Sequence, residues 1–288
     1  MNLSIKISRL SNFLFFIQKT DNTSVKLDLK KYFSNNDMEL LYYEKNDNKI
    51  WEQIKKTIGK QNQEEFKKNI SPLEFIFAKH WNKEEKILFS WKKYFQDNKG
   101  PLQQIIFDIE KLSGIKNFKL SQVPIYLISD PSLSDREIHA WFSWTPEKSF
   151  MVVEIPHRLK PTLDYCFPIS ILAHEFFHLM IRENKALFSK IDRIASDNKE
   201  LIKKLSNNMP PRLFVEELLV SSFIPEGYLS EKYFNNQICK DQSRPKSLLS
   251  WRKLAAFKLR DLAKIYIDRR QCIDNQYLKN LMEVIKQK

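Results

Sequence analysis

The residues best suited to chemistry lie in the run I-L-A-H-E-F-F-H-L-M-I, residues 171–181. Two of the chain's five histidines and a glutamate interrupt an otherwise apolar stretch there. An unpaired polar side chain buried in such a stretch costs about 2–7 kcal/mol. The three either share a polar centre or are separate core residues brought together by chance. On a helix, residues four apart lie on one face, with Cβ atoms about 5–6 Å apart. His174 and His178 then point to one spot and can grip one tetrahedral cation at about 2.0–2.1 Å. Glu175 is turned away around the helix, so it reaches a water on the cation more readily than the cation itself. The pattern H-E-x-x-H suits metal-assisted hydrolysis with the glutamate as general base.

Several elements must position this run. Apolar alternation predicts strands over 124–129, 139–144 and 150–156, a β meander immediately before it, with T-P-E-K-S as the turn between the last two. Strand 150–156 is the expected edge along which an extended peptide would pair. Pro168 opens the helix carrying the motif, which should run to about Asn184. A polar helix follows over 187–205. After Asn207-Asn208 and Pro210-Pro211 comes the helix R-L-F-V-E-E-L-L-V-S-S-F-I, ending at Pro225-Glu226-Gly227. Upstream, residues 24–29 alternate like a short strand, and helical spacing begins at Ile50. Ser71-Pro72 reads as the start of a further helix, with Phe75, Ile76, Ala78, Ile87, Leu88, Trp91 and Phe95 facing the core. Gly100-Pro101 should stop it, and another helix should span 102–112. Two basic helices from about Leu248 and Tyr277 close the chain. The expected division is a helical region 1–115, a core 116–235 and basic helices 236–288 packed on it.

Bulk properties exclude several function classes. The 288 residues are 42% hydrophobic, enough for a real core, yet only four are glycine. That argues for a helix-rich α+β fold over a barrel or sandwich. Neither G-x-G-x-x-G nor G-x-x-x-x-G-K occurs, which removes nucleotide-binding classes built on glycine loops. Cys166, Cys239 and Cys272 form no C-x-x-C pair, as in a reducing compartment. The apolar patch F-L-F-F-I after Lys6 and Arg9 has no cleavage site behind it, and no long uncharged apolar run occurs. A cytoplasmic location without a transmembrane segment is the expectation. The net charge of +13 is concentrated in residues 244–288, with twelve basic residues against four acidic ones. Such a tail could meet a weak anionic partner, although a solvated helix face explains it as simply.

H-E-F-F-H behind a β meander resembles the active-site helix of the zincin metallopeptidases. The resemblance covers about residues 120–230 and implies a zinc ion held by His174 and His178. A third protein ligand is then needed, with a fourth position open to water. The longer motif H-E-x-x-H-x-x-G-x-x-H is absent, because Ile181 and Asn184 occupy its last two fixed places. The remaining gluzincin-like pattern takes a glutamate from a following helix, either Glu216 or Glu217. That pattern places a polar residue one turn beyond the ligand, and Ser221 is four residues from Glu217. Glu217 is therefore expected, although the apolar directions around the helix lean slightly toward Glu216.

The implied protein is a gluzincin-like, predominantly helical zinc metallopeptidase acting on a peptide or protein, with Glu175 as base. Tyr228 could donate to an oxyanion but reads first as an amphipathic residue at a core edge. His80, His139 and His157 read as structural or surface histidines. The alternative function is a regulatory protein that keeps a zinc-stabilised zincin scaffold and uses its basic tail on nucleic acid or a partner. Deleting residues 244–288 separates the two readings.

Overall fold

In the computed structural model the described residues are 3–19, 32–34, 47–134, 137–144, 149–162, 167–206, 208–235 and 245–287. They form a mostly helical α+β fold with one four-stranded sheet. The strand expected over 24–29, the turn at 145–148, Cys166 and Cys239 lie outside the described residues. The chain divides into two compact units, Met1–Lys99 with Leu120–Tyr165, and Gly100–Lys119 with Cys166–Lys288. The sheet therefore groups with the N-terminal helices rather than with the helix that carries His174.

The first unit holds β1 (Ile5–Lys6), α1 (Arg9–Lys19), α2 (Asp47–Asp97), β2 (Ile125–Asp130), β3 (His139–Trp144) and β4 (Ser149–Pro156). The strand order is β1-β2-β4-β3. β2 runs parallel to β4, with Leu127 opposite Val153, and β3 runs antiparallel to β4. The three expected strands thus form part of a mixed sheet rather than a meander. β4 is interior and buried on both faces, as its near-continuous apolar run requires. Among the described residues β1 and β3, not β4, are the edges, so the expectation of an edge strand at 150–156 is corrected. Asn12 ties α1 to β2: its amide donates to the Leu127 carbonyl at 3.2 Å and accepts from the Ser129 N–H at 2.8 Å.

Helix α2 departs from the expected boundaries. It passes through Ser71-Pro72 and breaks instead at Gly59, whose φ of 81° suits only glycine. Phe75 is 67% exposed, with the Lys79 ammonium over its ring, while Phe77 and Trp81 take the core positions. Gly100-Pro101 sits in the first turn of the next helix, where the missing proline N–H costs nothing.

The second unit holds α3 (Lys99–Ser113), α4 (Phe167–Glu183), α5 (Lys185–Asp197), α6 (Lys199–Leu205), α7 (Pro211–Ser221), α8 (Tyr228–Phe234), α9 (Leu248–Asp268) and α10 (Asn275–Lys286). The polar helix expected over 187–205 is two helices. Asn184 starts the first by accepting from the Ala186 and Leu187 N–H groups, which also ends α4. Helix α4 is buried on almost every side and α7 nearly so. Each fully buried Leu, Ile or Phe contributes about 1.5–3 kcal/mol relative to exposure. That burial holds the two helices beside one another although both carry ionisable residues. Beyond α7, Phe223 stacks on Tyr277 at 4.9 Å, and Ser222 hydrogen-bonds the Tyr277 hydroxyl at 2.8 Å. These contacts pin the turn leading to α8. No helix among the described residues is long and apolar enough to cross a membrane.

Candidate metal centre

Helices α4 and α7 bring His174, His178 and Glu217 together, with one ligand atom of each within 4.8 Å of the others. The two Nε2 atoms lie 3.1 Å apart. Glu217 Oε2 is 3.4 Å from His174 Nε2, and Oε1 is 3.3 Å from His178 Nε2. A tetrahedron with bonds of about 2.0–2.1 Å has edges of about 3.3–3.4 Å. Each Nε2 thus meets a different Glu217 oxygen at about that spacing, so the carboxylate straddles the imidazole pair on the side where a shared cation would sit. His174 and His178 are 4% and 2% exposed, so water does little to solvate them.

The far sides of the imidazoles fix their tautomers. His174 Nδ1 donates to the Ile224 carbonyl at 2.9 Å, a group that can only accept. His178 Nδ1 meets Glu216 Oε1 at 2.9 Å. With both Nδ1 atoms protonated, neutral rings turn two Nε2 lone pairs toward each other, an arrangement that requires a cation or a proton between them. Orienting a metal-binding histidine through a carboxylate or a carbonyl is the usual device at such centres. These residues therefore form a group that could hold a metal ion.

Glu216 and Glu217 are neighbours with different partners. Glu217 faces the Nε2 atoms, while Glu216, fully buried, stands behind His178. Arg212 hydrogen-bonds Glu216, and Arg182 lies 3.4 Å from it. Both guanidinium groups stack on the Phe188 ring at 4.9 Å. Ser221, expected to support the ligand glutamate, does not do so. Its buried hydroxyl hydrogen-bonds nothing among the described residues. The acid behind His178, with its two arginines, fills that role. The available sequence signal was Arg212 one helical turn before Glu216 inside an apolar helix.

The electrostatics follow from burial and charge. Burial would raise the Glu217 carboxyl, but His178 and His174 override it and hold it well below the usual carboxylate range. Glu175 moves the other way: burial pushes its carboxyl up despite the two nearby imidazoles. Glu175 has no hydrogen bond or ion pair among the described residues, so its carboxyl is uncommitted beside the cluster. Arg252, on α9, lies 3.9 Å from Glu217 and is gripped by Glu226 at 3.0–3.3 Å. The sequence presented Arg252 only as one charge in a basic tail.

The other candidates lie elsewhere. Tyr228 begins α8 with the Arg260 guanidinium over its ring. His139 and His157 belong to the sheet-bearing unit, where they face Glu154 at 3.9 Å and Glu84 at 3.2 Å. His80 lies against His157, ring to ring at 6.1 Å. No protein-family model, curated protein or solved structure matches the chain.

Proposed function

We propose that this chain is a zinc metallopeptidase. The observation that carries the reading is the pair of inward-facing Nε2 atoms, each faced by a Glu217 oxygen at 3.3–3.4 Å, with an uncommitted carboxyl at Glu175 alongside. Two imidazoles and one carboxylate suit zinc better than magnesium or calcium, which prefer all-oxygen sites. Bound zinc supplies a Lewis acid that lowers the pKa of a water and polarises a carbonyl.

The chain's own residues do the rest. Ile224 and Glu216 hold the imidazoles in the one tautomer that leaves Nε2 free. Glu175, its affinity for protons raised by burial, takes a proton from the attacking water and delivers it to the departing amine. Arg182 and Arg212 balance the buried charge of Glu216. Elemental analysis of the purified protein tests the reading. About one zinc per chain is expected, and none in the double variant His174→Ala, His178→Ala. A protein that takes up no zinc even after reconstitution sinks it.

A further inference from the structure

Arg252 has a use beyond its partner Glu226. Nε and Nη2 are held by the Glu226 carboxylate at 3.3 and 3.1 Å, a two-point grip that fixes the plane of the guanidinium. Nη1 is left 3.9 Å from Glu217 Oε2, beyond hydrogen-bond reach. Its hydrogens meet no acceptor among the described residues, although the side chain is only 20% exposed. A fixed, partly desolvated donor edge thus stands beside the candidate metal ligands, ion-paired with Glu217 at 3.9 Å but making no hydrogen bond from Nη1 among the described residues. A divalent ion held by two neutral imidazoles and one carboxylate keeps a net positive charge, so the space between it and Arg252 attracts a further anionic oxygen. Guanidinium forks match carboxylates in shape and charge.

Resting on the metallopeptidase reading, we infer that Arg252 binds a carboxylate of the substrate next to the scissile bond, either a free C-terminus or an acidic side chain. Glu226 is the positioning residue that holds the guanidinium in place. The enzyme would accordingly prefer substrates with a carboxylate at that place over the same substrates carrying an amide.

The test uses full-length protein loaded with cobalt, whose visible bands report ligands at the metal. It is titrated with three peptide hydroxamates: one ending in a free carboxylate, one ending in a carboxamide, and the carboxamide form with an aspartate side chain. Wild-type protein should bind at least one carboxylate form about tenfold or more tightly than the plain amide, as a charge-assisted hydrogen bond predicts. The arm that wins identifies the source of the carboxylate. Arg252→Gln should bind all three alike with its ligand-free cobalt bands unchanged, and Glu226→Gln should lose part of the preference. Equal binding of the three by wild-type protein overturns the inference, whether or not the variants fold. A preference kept in Arg252→Gln overturns it too. Absence of cobalt bands from wild-type protein is a different result: it removes the metal reading and this inference together.

Discussion

His174 and His178 face each other through Nε2 atoms 3.1 Å apart, and each donates from Nδ1 to an oxygen behind it. Neutral imidazoles so arranged repel until something positive sits between them. The metal is therefore expected to stabilise the fold as well as serve chemistry. Chelation should lower the melting temperature of wild-type protein, and zinc should restore it. The double alanine variant should melt at the same temperature with or without zinc. Scanning fluorimetry reads both, and a zinc response that survives in the variant would place the ion elsewhere.

Replacing Glu216 by Ala removes the acceptor behind His178 and leaves Arg182 and Arg212 without their carboxylate. Zinc affinity should drop about 10–100-fold, the usual cost of losing an outer partner of a ligand histidine. Because the arginine side chains are 19% and 25% exposed, water offsets part of the loss, and destabilisation of about 1–3 kcal/mol is expected. Competition with a chromogenic chelator measures the affinity, and unchanged zinc binding would show that Glu216 is only a structural ion pair.

Glu175→Gln keeps size and polarity but cannot accept a proton. Zinc content should be unchanged and peptide hydrolysis should fall by about 10²–10⁴-fold. A screen of quenched peptides against wild-type and variant protein checks this. Hydrolysis at equal rates would remove Glu175 from the base role.

The metal-free centre should respond to pH in a defined direction. Burial alone would lower the His178 pKa, but Glu217 and Glu216 override it and push it up to about 10. That is above the ordinary imidazole value near 6.5. The stability this proton supplies is complete below about pH 6.5 and is lost as pH rises through about 10. Glu217, held low, acts oppositely: its contribution is lost only as pH falls below the usual carboxylate range. Zinc must displace the His178 proton. The gain in melting temperature on adding zinc should therefore grow between about pH 6.5 and pH 9. A gain that shrinks over that interval would contradict the assignment.

Gly227 offers a test remote from the ligands. A Cβ there would lie 2.0 Å from the Ser222 carbonyl oxygen and 2.5 Å from the Phe223 nitrogen, so the backbone must move. The displaced turn contains Ile224, whose carbonyl orients His174. Gly227→Ala should lower both the melting temperature and zinc affinity. Loss of stability with zinc affinity intact would separate the turn from the metal centre.

The motif helix was legible because local spacing suffices: residues four apart on a helix must share a face, whatever surrounds them. Helix α3 and strands β2, β3 and β4 were equally readable from period and from Ser113-Gly114, where Gly114 takes a φ of 72°, whereas the two-residue β1 was too short to show a period. The long helix was not, because Ser71-Pro72 has the composition of a helix start while the actual break needs only one glycine at positive φ. The parallel pairing of β2 with β4 was hidden, since nothing in either strand names a partner that is not its neighbour in sequence. At the centre, sequence reasoning preferred Glu217, the acid that meets the Nε2 atoms, but on the strength of Ser221, which supports nothing there. Arg252 was out of reach, because a contact across 35 positions leaves no periodic trace.

Two consecutive residues of α7 hold opposite nitrogens of a single ring: Glu216 meets Nδ1 of His178 and Glu217 meets Nε2. Adjacent side chains on a helix diverge by about 100°, so His178 is caught as if in a caliper. A turn of α7 about its axis disturbs both contacts together. Metal occupancy is therefore a gauge of the angular setting of α7. Any ligand or modification that rotated that helix would be felt at the ion.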